Sequence, residues 1–144
     1  MKKLIISLSV LLSLHSMAQN KIIIKEKFHF DNSNRQDTSA GYAQAVKVDN
    51  VLYLSGAVAR DVTPEGITRV YTTLQKTLEY YGASFQNVVK ENLYTTDMEA
   101  MKKYNDARKV FYKGDFPAAT WVQISRLFLH DARLEVELIA HLPK

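Results

Sequence analysis

Residues 64–82 narrow the fold of this chain more than any other stretch. Ile67, Val70, Tyr71, Leu74, Leu78 and Tyr81 recur three or four positions apart, so a helix would gather all six on one face. Thr63 can act as N-cap, Pro64 suits the first helical position, and Gly82 permits the left-handed turn that closes a helix. Such a stripe has to be buried against a second layer, and the flanking segments supply one.

Those segments read as strands. Residues 22–30 alternate loosely and predict a first, edge strand, and the polar, turn-rich stretch 31–40 predicts a loop. Residues 42–48 and 51–58 are rich in β-formers and are separated by Asp49 and Asn50, which predicts a hairpin with a tight turn. Residues 87–95 predict another strand. Asp97 can then cap a second helix running to Tyr112, with Met101, Tyr104, Ala107 and Phe111 inward, and Gly114 ends it. Residues 120–127 and 133–141 complete the set; in the latter Leu134, Val136 and Leu138 alternate with Arg133, Glu135 and Glu137. The expected class is α+β, a mixed sheet with two helices on one face. The other face, with Ile139 beside Glu135 and Glu137, needs its own cover, for which an oligomer interface is suited.

The N-terminus carries a different signal. Lys2 and Lys3 precede an apolar run over 4–14, and Ser16-Met17-Ala18 has small residues where a signal peptidase reads. The expectation is a signal peptide over 1–18, followed by a single domain over 19–144 in the periplasm or secreted. The run is too short to span a hydrocarbon core of about 30 Å, so no permanent membrane anchor is expected. The chain has no cysteine, which excludes disulfides and Cys-ligated metal and leaves packing or oligomerisation to stabilise it. Its formal charge of +4 includes Lys2 and Lys3; without them too little positive charge remains to suggest a nucleic-acid surface.

Three familiar kinds of site find no support. His29, His130 and His141, the histidines beyond the leader, have no partners at metal-ligand spacing, so no metal and no cofactor is expected. Leu54-Ser55-Gly56 lacks the glycine two residues before the serine that marks a nucleophile elbow. The five glycines are scattered rather than gathered into a phosphate loop.

Four ordered blocks remain: AGYAQAVKVDNVLYLSG from Ala40, YGASFQNVVKENLYTTDM from Tyr81, FPAATWVQISRL from Phe116 and DARLEVELIAH from Asp131. Together they resemble the RidA family, the reactive enamine/imine intermediate deaminases also described as L-PSP endoribonucleases. The resemblance covers residues 40–140. It implies a chorismate-mutase-like α+β fold, a homotrimer, and small-metabolite clefts between subunits. In deaminating members an arginine of a Pro-Ala-Arg segment clamps the substrate carboxylate, and a strand glutamate with a bound water hydrolyses the imine. Carried onto this chain, the glutamate is Glu135, and Tyr42, Ser55, Gly56 and Asn105 are ligand-binding positions.

The clamp position departs from the pattern, because Ala119 stands where the arginine is expected. Charge-assisted hydrogen bonds contribute about 1.5 to 3 kcal/mol each, so losing a bidentate clamp costs roughly two to four decades of affinity or rate. Trp121 replaces a residue that is usually small, and narrows the pocket or offers a stacking face. The leading expectation is an exported RidA-like trimer that binds or slowly processes a different small metabolite. The alternative keeps 2-iminobutanoate/2-iminopropanoate deamination, with Arg60 replacing the clamp and Glu135 activating water. Arg60 also reads as a solvated loop charge beside Asp61, Glu135 as a polar interface residue, and Arg126 as structural. A ribonuclease and a binding or chaperone-like protein without chemistry complete the set of readings.

Overall fold

The computed structural model describes residues 22–30 and 40–143; the expected signal peptide and most of the expected 31–40 loop lie outside them. Six strands form one sheet in the order β1-β2-β3-β6-β4-β5. They are β1 (Glu26–Phe28), β2 (Ala45–Val48), β3 (Val51–Ala59), β4 (Val88–Thr95), β5 (Ala118–Gln123) and β6 (Leu134–His141). Neighbouring strands are antiparallel except β4 and β5, which run parallel and are joined by a helical crossover. The helices are α1 (Pro64–Tyr80), α2 (Met98–Lys103) and α3 (Asp106–Tyr112), with a 3₁₀ turn at Phe85–Asn87.

Helix α1 forms as its sequence requires. The Thr63 hydroxyl accepts from the Gly66 N–H at 3.1 Å, and Gly82 takes φ +68° just after the helix. Its inward face, Ile67, Val70, Tyr71, Leu74 and Leu78, is fully buried against Leu52 and Leu54 of β3 and Leu134, Val136 and Leu138 of β6. Each such side chain contributes about 1.5 to 3 kcal/mol through burial, which makes this layer contact the main source of stability. Tyr81 is the exception among the six stripe residues: it is the C-cap, outside the helix and only half-buried.

Four boundaries differ from the sequence reading. β2 begins at Ala45 rather than 42, where its ladder with β3 begins. β1 is three residues rather than nine, because β2 offers a pairing edge only from Ala45 to Lys47. The expected second helix is two helices. The Ala107 N–H bonds the Tyr104 carbonyl at 3.1 Å, a tightened i−3 contact, and this turn reorients α3 relative to α2. β5 starts earlier and ends at Gln123 instead of 127, since β4 stops at Thr95, whose carbonyl takes a last bond from the Ile124 N–H.

All three helices lie on one side. No element among the described residues covers the opposite face, where Tyr53 and Val58 are nearly half exposed beside Asn92, Tyr94, Glu135, Glu137 and Ile139. Among the described residues no helix is long and apolar enough to cross a membrane.

Candidate functional site

The sequence-derived site residues fall into two groups. The first lies where β3, β6 and the lead into β2 meet on the open face. β3 bulges between Leu54 and Ala57, so Ser55 and Gly56 leave the regular register with β6. The Ser55 hydroxyl donates to the Ala43 carbonyl at 2.7 Å, and the Ser55 N–H to the Gln44 carbonyl at 2.9 Å. These bonds tie the segment carrying Tyr42, itself 45% exposed, to the bulge. Gly56 is needed for lack of a side chain: a Cβ there would stand 2.0 Å from Glu135 Oε1. The carboxylate therefore lies directly over the bulge.

Glu135 is held differently from its neighbour. Glu137 Oε1 accepts from the Asn92 amide at 2.8 Å and from the Tyr94 hydroxyl at 3.2 Å, which fixes it. The Glu135 carboxyl titrates above the usual glutamate range, first because burial disfavours its charge and then because Glu137 lies close by. A half-buried carboxylate with a raised pKa is suited to accept a proton from a bound water. On the same face a 270 Å³ cavity is lined by Val46, Tyr53, Ser55, Lys90, Asn92 and Glu137 among others, without Glu135.

The second group lies on the helix side, at the β5 edge. Ala119 is the register partner of Glu91 and Trp121 that of Leu93, so both side chains share the face that carries the helices. Ala119 is exposed, whereas Trp121 packs partly into the core. Asn105 lies at the α2–α3 junction on that side, with its Oδ1 buried and unpartnered. The sheet thus separates Ala119, Trp121 and Asn105 from Ser55, Gly56 and Glu135. One chain cannot bring the two groups together.

Arg60 belongs to neither group. Its Nε pairs with Asp131, while Asp61, the neighbour expected beside it, pairs instead with Arg69 at 2.5 Å. Arg60 and Arg69 line a separate cavity of 410 Å³ with Val58, Leu129, Asp131 and Ala132. Arg126 is exposed and meets the His130 ring at 3.4 Å. Among the described residues no three histidine or acidic side chains gather as a metal set would.

Sequence reasoning missed the most elaborate polar cluster. Glu91 of β4 has no solvent exposure. Its carboxylate accepts from Arg108 Nε at 2.9 and 3.0 Å, from the Tyr71 hydroxyl at 2.8 Å, from the Tyr112 hydroxyl at 2.6 Å and from the Trp121 indole N–H at 3.1 Å. Burial, and next the Glu91 charge, raise the pKa values of both tyrosines, so they remain protonated donors. Burial opposes the Arg108 charge, but Glu91 overcomes this and raises its pKa. The signal was in the alternation: Glu91 is in phase with Leu93 and Thr95, both inward.

Known proteins resemble this chain in both sequence and fold. A family model described as endoribonuclease L-PSP matches residues 32–142. The protein of Dermatophagoides farinae named 2-iminobutanoate/2-iminopropanoate deaminase is 34% identical over 107 residues, covering 68% of this chain and 83% of its own. The mouse protein of the same name is 32% identical over 108 residues, covering 69% and 79%. Among solved structures, Rv2704 of Mycobacterium tuberculosis, of the YjgF/YER057c/UK114 family, superposes with a TM-score of 0.73 at 16% identity, over 83% of this chain and all of that one. A Rid-family protein of Yersinia pestis gives 0.70 at 24%, over the same shares.

Proposed function

The chain belongs to the RidA family, the group described as endoribonuclease L-PSP, and on that premise we propose that it is an exported homotrimer whose inter-subunit clefts bind a small metabolite other than the usual imino acid. The observation that carries the reading is the division of the site. Ser55, Gly56 and Glu135 occupy the open face next to the segment that carries Tyr42, while Asn105, Ala119 and Trp121 occupy the helix side at an exposed edge. A second copy that sets its β5 edge beside the Glu135 group completes the cleft, and three copies close the ring. The uncovered sheet face supports the same assembly, since half-exposed Tyr53 and Val58 gain burial there.

Ala119 supports the divergence in ligand. A methyl group cannot hold a carboxylate, and the exposed Arg60 is paired with Asp131 on another cavity. Export is supported by Lys2, Lys3 and the apolar run that follows. The chemistry needs no cofactor, because Glu135 and water suffice for imine hydrolysis.

The test is a coupled assay with freshly generated 2-iminobutanoate and 2-iminopropanoate, together with light scattering. The expected result is a trimer whose turnover lies at least about a hundredfold below that of a clamp-bearing relative. Turnover equal to such a relative, or a monomer in solution, refutes it. A second reading, with Arg60 as the clamp, is favoured by one feature: Arg60 lies two residues beyond Val58, the register partner of Glu135. Arg60→Ala then abolishes deamination, and full activity in that variant removes the reading.

A further inference from the structure

The Glu91 cluster has a consequence for what the β5 side of the cleft can accept. Ala119 and Trp121 flank it, Ala119 as the register partner of Glu91 and Trp121 through its indole N–H bond to the same carboxylate. The cation paired with that carboxylate is Arg108. Its side chain is only 6% exposed, and its Nε is bonded to both oxygens of Glu91, a residue with 0% exposure. A guanidinium and a carboxylate so close present a neutral pair to a third group rather than a positive charge. A ligand carboxylate laid over Ala119 would approach the Glu91 carboxylate across a methyl group, with the Arg108 Nε already engaged by both Glu91 oxygens.

The rest of this wall is aromatic. The Arg108 guanidinium lies 5.3 Å from the Trp121 ring centre, 4.8 Å from that of Tyr112 and 5.9 Å from that of Phe116, and Phe116 is half exposed. Trp121 cannot swing away to admit an anion without breaking its bond to the fully buried Glu91 carboxylate. The wall is therefore rigid, neutral and planar. Its features favour a flat unsaturated group that stacks and carries no negative charge.

We infer that Glu91 and Arg108 are specificity-determining residues of the cleft, holding Trp121 as a neutral stacking wall that selects a planar, uncharged unsaturated ligand over a carboxylate. The inference rests on the inter-subunit cleft proposed above. Glu91 and Arg108 act here through Trp121 and through charge, without taking part in a reaction.

Trp121 is the only tryptophan in the chain, so its emission reports on this wall without a label. The purified protein is titrated with benzamide and with benzoate, which share a ring and differ in charge. The expected result is that benzamide shifts the emission with a dissociation constant about tenfold lower than that of benzoate. Glu91→Gln, which leaves Arg108 unneutralised, is expected to tighten benzoate about tenfold. Benzoate binding as tightly as benzamide overturns the inference and leaves the cleft standing. Failure of both compounds to move the emission overturns the inference and the cleft together. Unchanged benzoate affinity in a folded Glu91→Gln overturns the charge argument; if that variant does not fold, the wild-type comparison decides alone.

Discussion

Replacing Arg108 with methionine removes the guanidinium and retains most of the aliphatic volume, leaving Glu91 buried among donors that carry no charge. Two tyrosine hydroxyls and one indole N–H still bond it, but no cation offsets the cost of holding its charge away from water. Breaking a buried pair by removing one partner costs about 3 to 5 kcal/mol. For a domain of roughly 100 residues, each kcal/mol lowers Tm by about 4 °C, so the expected fall is about 12 to 20 °C. The next residue provides the control. Lys109 pairs with Asp106 at the same 2.9 Å as the Arg108–Glu91 contact, but those side chains are 49% and 92% exposed. Lys109→Met should therefore shift Tm by no more than about 2 °C. Thermal and urea unfolding at pH 7 and one fixed protein concentration measure both, the concentration being held because assembly raises apparent stability. A fall for Arg108→Met no larger than that for Lys109→Met would refute the argument that Glu91 depends on this cation.

Three further outcomes are expected. Tyr112→Phe removes the shortest hydrogen bond to Glu91 and should cost about 1.5 to 3 kcal/mol in urea unfolding, against a negligible effect for Tyr80→Phe at the exposed end of α1. Gly56→Ala places a methyl group on the Glu135 carboxylate, so it should displace that side chain and reduce ligand binding or turnover at least about tenfold while the domain remains folded, as circular dichroism and activity together would show. Carbon-detected NMR should find Glu135 titrating above the ordinary glutamate range, and Glu137→Gln should bring it down. The sign for stability follows. A carboxyl whose folded pKa is raised contributes most below its unfolded pKa, and the contribution is lost as pH rises through the folded pKa; Glu135→Gln should flatten that slope in pH-dependent unfolding.

The main helix, the hairpin and the inward set of β6 were readable because each rests on a local period that burial reinforces. The one-sided sheet followed from them, since an amphipathic helix and alternating strands can bury their apolar faces in few other ways. Where pairing partners decide, the reading drifted. β5 and β1 are as long as their neighbours allow, not as long as their β-forming runs suggest. The break at Tyr104 and Asn105 lies within a stretch whose apolar spacing is compatible with one helix, and only packing of Arg108 and Tyr112 toward Glu91 distinguishes the two.

The motif residues were identified from the sequence one by one, but their separation by the sheet was not. Strand phase sets the side on which each residue projects, and phase depends on register with neighbours, which is a property of the assembled sheet. The sequence by itself determined the two-layer architecture, the family, and the absence of an arginine at Ala119, because these depend on residue type and local period. Only the tertiary structure decided that Glu135 lies over Gly56, that Arg60 is paired away, and that Glu91 gathers Arg108, two tyrosines and Trp121, because those contacts join residues up to 79 positions apart whose meeting is set by packing alone.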